Sequence, residues 1–275
     1  MDSQEKKLRA DDTVLRVEDV SLSFGGTKAL TKVSLDQKQG EIVAVIGPNG
    51  AGKTSLMNCI SGFYRPDKGH IYFHDLEITY RKPREIARLG LARTFQNLRL
   101  FTSSTVLDNL MTGAHMHFKG SFLFDCIYFG RSRNEEIRLR PRMEEIIAFL
   151  ELDEVRKTIV GTLPYGVRKR VELARALAAE PKLIILDEPM AGMNQEEKRQ
   201  MTRFILATVN IRKIPVILIE HDMSVIMSLA TRIVVLNFGY RIAEGSPAEI
   251  KNDPDVIKAY LGEEEEENRG GSDAK

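Results

Sequence analysis

Cysteine is scarce in this sequence. Cys59 and Cys126 are the only two among 275 residues, too few to frame a disulfide scaffold and in keeping with a reducing compartment. Long apolar runs are missing as well. The longest, Ile42–Ile46, Leu183–Leu186 and Pro215–Ile219, fall far short of the ~18 residues expected of a spanning helix. Neither sign of charge dominates: 40 Lys+Arg stand against 39 Asp+Glu, so nothing global points to nucleic acid. The first twelve residues are strongly charged, unlike an apolar secretion leader. A chain that is 43% hydrophobic and 29% charged is neither collagen-like nor disordered. The expectation is a globular, cytosolic protein of one large domain or two.

What is present alternates between strand and helix signals, the pattern of an α/β fold. Val14–Val20 alternates apolar and polar residues. Ile42–Ile46, Lys182–Leu186, Val216–Ile219 and Ile233–Leu236 are short apolar runs of the kind found in strands buried on both faces. Helices are expected at Lys53–Ile60, Gln195–Val209 and Asp222–Ala230. The middle differs in texture. Asn134–Leu150 spaces Ile137, Ile146, Ile147 and Leu150 among charges, and Arg168–Ala179 is rich in Ala, Leu and Arg, so a helical insertion is expected there. The organisation is therefore an N-terminal extension over 1–12, a core built from 13–96 and 180–262, and a helical subdomain over 97–179. Residues 263–275, with their run of Glu, read as a solvated acidic tail.

Gly47, Pro48, Asn49, Gly50, Ala51, Gly52, Lys53 and Thr54 match G-x-x-x-x-G-K-[ST], followed by Ser55. The motif lies between a predicted strand and a predicted helix, the context it requires. Its glycines allow backbone N–H groups to wrap phosphate oxygens at a helix N-terminus. Lys53 is expected to reach the β- and γ-phosphates and the Thr54 hydroxyl to hold Mg²⁺. The spacing predicts a nucleoside triphosphate site. A second apolar strand, Leu183–Leu186, runs into Asp187 and Glu188. A carboxylate at that strand's end suits hydrated Mg²⁺, and the neighbouring Glu188 suits activation of a water.

Together with Thr94-Phe95-Gln96 upstream and Glu220-His221-Asp222 downstream, these motifs resemble an ATP-binding cassette (ABC) ATPase from about Val14 to Gly262. The resemblance implies a P-loop NTPase fold with an N-terminal antiparallel β portion and an inserted helical subdomain. It implies that Gln96 contacts Mg²⁺ and the attacking water, that His221 contacts the γ-phosphate, and that Phe24 stacks on adenine. By residue type alone, Phe24 has a second reading as a core side chain.

The family's signature, usually Leu-Ser-Gly-Gly-Gln, corresponds here to Leu163, Pro164, Tyr165, Gly166 and Val167, preceding the helix expected from Arg168. Only Leu163 and Gly166 match. Pro164 brings neither the hydroxyl nor an N–H to the ATP of an opposite subunit. That departure motivates a dimer with a second, non-identical ATPase. Ala191-Gly192-Met193-Asn194, Ile219–Met223 and the ending Asn252–Gly262 are similar to ATPases of branched-chain amino acid importers. The resemblance thus implies ATP and Mg²⁺ as cofactors, two integral membrane permease subunits as partners, no nucleic acid, and a peripheral place at the cytoplasmic face of the membrane. Lipopolysaccharide-export ATPases and non-transport assembly factors share part of the pattern. Phe118–Phe129 carries five of the 19 Phe+Tyr residues and reads either as core or as the lining of a groove for a permease helix.

Overall fold

The computed structural model of the chain describes residues 12–94, 100–114 and 131–260. Gln96, the aromatic stretch 118–129 with Cys126, residues 1–11 of the N-terminal extension and the acidic tail lie outside the described residues.

Two sheets form the frame. The first pairs β1 (Thr13–Phe24) with β2 (Thr27–Lys38) and with β4 (Lys68–Phe73), all antiparallel, and β4 with the short β5 (Leu76–Glu77). β1 extends past the expected Val14–Val20. Register shifts along its pairing with β2 carry it past Val20, so Leu22 remains buried and the chain stays paired as far as Phe24.

The second sheet holds β3 (Ile42–Ile46), β6 (Leu91–Arg93), β7 (Leu183–Asp187), β8 (Val216–Ile219), β9 (Arg232–Asn237) and β10 (Tyr240–Gly245), in the order β10-β9-β3-β8-β7-β6. All pairs are parallel except β10 with β9. Sequence and burial explain one another here. In β7, Leu183 and Ile185 face one apolar cluster while Ile184 and Leu186 face another. In β8, Ile217 and Ile219 join the first and Val216 and Leu218 the second. A strand clothed on both sides requires an unbroken apolar run, which is what these segments supply.

The helices that cover the sheet are α1 (Lys53–Ile60), α2 (Pro83–Leu89), α3 (Val106–Ala114), α4 (Arg131–Phe149), α5 (Tyr165–Ala178), α6 (Gln195–Asn210), α7 (Met223–Leu229) and α8 (Pro247–Lys251). α1 packs Leu56, Met57 and Ile60 into the cluster shared by both sheets. α3, α4 and α5 fall between β6 and β7 in sequence, yet those two strands are direct neighbours, with Leu91 opposite Leu183. The excursion returns to the strand beside the one it left. Met143, Ile147, Val171 and Leu177 from its helices share a single cluster with Ile184 and Leu186 of the sheet.

One expectation is corrected. The helix expected from Arg168 begins at Tyr165, with Pro164 as its N-cap at φ −53°. Proline is tolerated there because the first helical N–H groups have no intrahelical acceptor. Tyr165, Gly166 and Val167 are therefore the first turn of α5 rather than a loop ahead of it.

Candidate functional site

Parallel strands point all their C-terminal ends toward one edge, and in such sheets that edge is where ligands bind. β3 ends at Ile46 and opens the phosphate loop; β6 ends at Arg93, β7 at Asp187, and β8 at Ile219. Four segments distant in sequence thus emerge side by side.

The loop Gly47–Gly52 turns β3 into α1. Gly47 adopts φ +144°, and a Cβ built on it would lie 2.0 Å from the carbonyl oxygen of Leu236 on β9, so no side chain fits. Lys53 is buried although it is a lysine. Its Nζ donates to the carbonyls of Gly47 (2.5 Å) and Pro48 (2.8 Å), which curl over the mouth of the loop. The loop's own carbonyls thus hold a buried ammonium at the start of α1, which places positive charge at this loop. Thr54 is exposed on the first turn of α1. A cleft of about 280 Å³ opens here, lined by Asn49, Gly50, Ala51, Gly52, Lys53, Thr54 and Ser55 on one side and by Glu188 and His221 on the other.

Glu188 and His221 meet because β7 and β8 are paired, with Asp187 opposite Ile219. The Glu188 N–H donates to the Ile219 carbonyl at 2.9 Å, and Glu188 itself takes a left-handed conformation, φ 49°. For a residue other than glycine that conformation is strained. It aims the carboxylate across the cleft, where Oε1 lies 2.8 Å from Nε2 of His221. A carboxylate that can accept a proton beside an imidazole that can hold charge is a general-base arrangement.

Asp187 is buried and ion-paired: its Oδ2 accepts from an Arg93 guanidinium N–H at 2.9 Å, with the two side chains 9% and 5% exposed. Arg93 also donates to Oδ1 of Asn58 on α1 at 2.8 Å, and the Asp187 N–H donates to the Thr94 hydroxyl at 3.2 Å. Thr54 gives the cleft lining a hard oxygen donor of the kind Mg²⁺ takes, whereas Asp187 is not part of that lining and its Oδ2 is held by Arg93. Mg²⁺ characteristically takes few protein ligands and completes its shell with water and phosphate.

Phe24, at the end of β1, is half exposed, so it is not a core residue. Its ring meets Tyr64 edge to face, with centroids 5.2 Å apart and planes at 74°. The signature stretch stays away from the cleft of its own chain. Tyr165 instead lies over Gly192, and Gly166 faces the Glu197 side chain of α6.

Residue patterns did not point to Arg93, Asn58 or Tyr64, and the Glu220-His221-Asp222 motif gave Glu220 no role of its own. Glu220 is nearly sealed from solvent; its Oε1 accepts from the Met190 N–H (2.8 Å) and its Oε2 from the His221 N–H (3.3 Å). Burial pushes its carboxyl above the ordinary range, and the two N–H bonds offset only part of that. An ionisable residue closing an apolar strand was the available signal.

A sequence profile described as "ABC transporter" matches residues 30–191, and one described as "Branched-chain amino acid ATP-binding cassette transporter" matches 241–266. The high-affinity branched-chain amino acid transport ATP-binding protein BraF of Pseudomonas aeruginosa is 41% identical over 91% of this chain and 98% of its own length. LivG of Escherichia coli, of the same description, is 40% identical over 91% and 98%. A solved ATP-binding cassette of an ABC transporter in its ADP conformation superposes with a TM-score of 0.80 at 33% identity, over 91% of this chain and 99% of that one. A nucleotide-free cassette gives 0.78 at 32%, over 90% and 98%.

Proposed function

The chain belongs to the ABC transporter family, and from that membership we propose that it is the ATP-hydrolysing subunit that powers uptake of branched-chain amino acids across a membrane. It binds ATP and hydrolyses it. The observation that carries the reading is the cleft in which the phosphate loop faces the Glu188–His221 pair.

In this reading the triphosphate lies along the backbone of residues 49–55, with Lys53 on the terminal phosphates and adenine against Phe24. Glu188 takes the proton of the attacking water while His221 and Lys53 stabilise the charge that spreads over the γ-phosphate oxygens. In-line phosphoryl transfer needs mostly such positioning and electrostatic stabilisation. Thr54, Gln96 and Asp187 would hold Mg²⁺, which would supply neutralisation of the charge on the transferring phosphoryl group. Leu163–Val167 would complete the ATP site of a second ATPase subunit. Pro164 and Val167 favour a non-identical partner that carries the more usual signature.

No helix among the described residues is long and apolar enough to cross a membrane, and the relatives are named as transport proteins. We place the permeation path in two permease subunits, with this chain peripheral at the cytoplasmic face. A groove of about 380 Å³, lined by Phe63, Ile86, Leu91, Ala176 and Pro181 among others, lies between the sheet and α5 and suits a short apolar helix from a permease subunit.

The test is uptake of labelled leucine, isoleucine and valine by host cells lacking this chain, re-supplied with either wild type or Glu188→Gln. Loss on deletion, rescue by wild type and no rescue by the variant are expected. Unchanged uptake in the deleted strain, with an ATPase that responds to no permease, would remove the transport assignment.

A further inference from the structure

Glu220 is out of place. The four residues before it, Val216–Ile219, are all buried and apolar, and Glu220 continues into the same interior at 4% exposure. Burying a carboxylate is expensive unless hydrogen bonds replace its water. The two N–H groups that do so lie at the two most consequential places on this edge. One is the backbone of His221 itself; the other is Met190, two residues beyond Glu188. A single side chain thus spans from the end of β8 to the loop that follows β7. Beneath it, the Glu188 N–H donates to the Ile219 carbonyl at 2.9 Å, so the two segments are tied at two levels.

The loop held by Glu220 leads further. The Ala191 N–H donates to the Glu188 carbonyl (3.3 Å) and the Met193 N–H to the Met190 carbonyl (3.2 Å), a compact turn that ends at Asn194, the N-cap of α6. Inside that turn Gly192 has φ +75° and lies against Tyr165, whose Cε1 would be 3.2 Å from a Cβ at that position. Tyr165 opens α5. Displacing Met190 would therefore disturb the carboxylate on one side and the support of the signature helix on the other.

We propose that Glu220 is a positioning residue: by gripping the Met190 amide it fixes the Glu188–His221 pair in register and seats the 189–193 turn under Tyr165. This rests on the ATPase reading above and assigns a role to a residue outside the lining of the cleft. A merely filling role would need only an apolar side chain of similar size. The role proposed here needs an acceptor oxygen at the reach of a glutamate.

Reach and charge can be separated. Glu220→Gln keeps the length and the one acceptor oxygen that Met190 needs but loses the charge and the longer bond from the His221 N–H; Glu220→Asp keeps the charge but falls one methylene short of Met190. Expected in Glu220→Asp is a kcat lower by about tenfold with KM for ATP within about twofold, the mark of lost transition-state positioning without lost binding. Glu220→Gln should stay within about threefold of wild type in kcat. Hydrogen exchange at the Met190 amide, read without turnover, should speed up in Glu220→Asp and stay slow in Glu220→Gln. The reverse order of the two variants would overturn the proposal, as would a Glu220→Asp enzyme with wild-type kcat or a Met190 amide that stays protected without the reach. A wild-type chain that hydrolysed no ATP would instead remove the underlying reading, and the Met190 exchange would still report on the grip.

Discussion

The buried pair between Arg93 and Asp187 permits a prediction with a worked magnitude. Both side chains are nearly sealed, at 5% and 9% exposure, and their N–O separation is 2.9 Å. Replacing Arg93 with Met keeps much of the stem volume but deletes the cation. It leaves the Asp187 carboxylate in the interior without its counter-charge and takes a donor from Asn58. Removing one partner of a buried pair costs about 3 to 5 kcal/mol, because the remaining charge stays desolvated. Taking the lower bound, and about 2 to 4 °C per kcal/mol for a chain of this size, Arg93→Met should lower the melting temperature by about 6 °C or more. Removing both charges should be far milder. Arg93→Met combined with Asp187→Asn should recover about 2 kcal/mol relative to the sum of the single variants, since neither then strands a charge. The assay is urea denaturation of the four proteins at neutral pH, run as a double-mutant cycle. Additivity within about 0.5 kcal/mol, or a single-variant loss under about 1 kcal/mol, would refute the argument that these charges depend on one another.

Gly47→Ala should abolish nucleotide binding or prevent folding, since its Cβ would have to occupy space 2.0 Å from the Leu236 oxygen at φ +144°; retained ATP affinity by calorimetry would contradict the loop geometry. Phe24→Ala should weaken ATP binding by about tenfold, from a stacking contribution of roughly 1 to 3 kcal/mol, while Phe24→Tyr stays near wild type; equal affinities would show that the ring is no base platform. Asp222 is held down to about 2 by the Lys198 ammonium, 2.6 Å away, and by Ser224. Because its folded value lies below its unfolded value near 3.8, its stabilisation is present above about pH 4 and disappears as pH falls toward 2. In urea titrations at pH 5 and pH 2.5, the gap between wild type and Asp222→Asn should be about 1 kcal/mol at the higher pH, after discounting for solvent screening, and should shrink at the lower. A gap that grows on acidification would reverse the sign of this reasoning.

How legible the molecule was in its sequence depends on the range of each interaction. The phosphate loop could be read because its requirements are consecutive: a strand, a glycine where only hydrogen fits, and a lysine on the first turn of the helix. The β-branched and leucine runs of β3, β7 and β8 could be read because burial on both faces leaves no polar position to blur the pattern. Asp187 and Glu188 stood out as polar residues closing such a run, whereas His221 was legible only through the family resemblance of its motif. By contrast, nothing local distinguishes Pro164 as a break from Pro164 as a cap, since both outcomes follow from a missing N–H. What settles it is the packing of α5, where Val171 and Leu177 are drawn into the same cluster as Ile184. Only that context makes the first turn start at Tyr165.

The partners of the charged residues are the least legible. Arg93 meets a carboxylate 94 positions away, and Glu220 meets an amide 30 positions away, each across neighbouring strands whose order the chain does not announce. A composition or a spacing can say that Asp187 closes a strand, but only the strand order β8-β7-β6 puts Arg93 beside it. The same order places Glu188 next to His221. The meeting of Glu188 with His221 and the contacts made by Arg93 and Glu220 are therefore consequences of one feature, the adjacency of β6, β7 and β8. The motif residues differ only in that each contributes a reactive group which its residue type declares in advance. Arg93 and Glu220 contribute reach, and reach has no meaning until the neighbouring strand is in place.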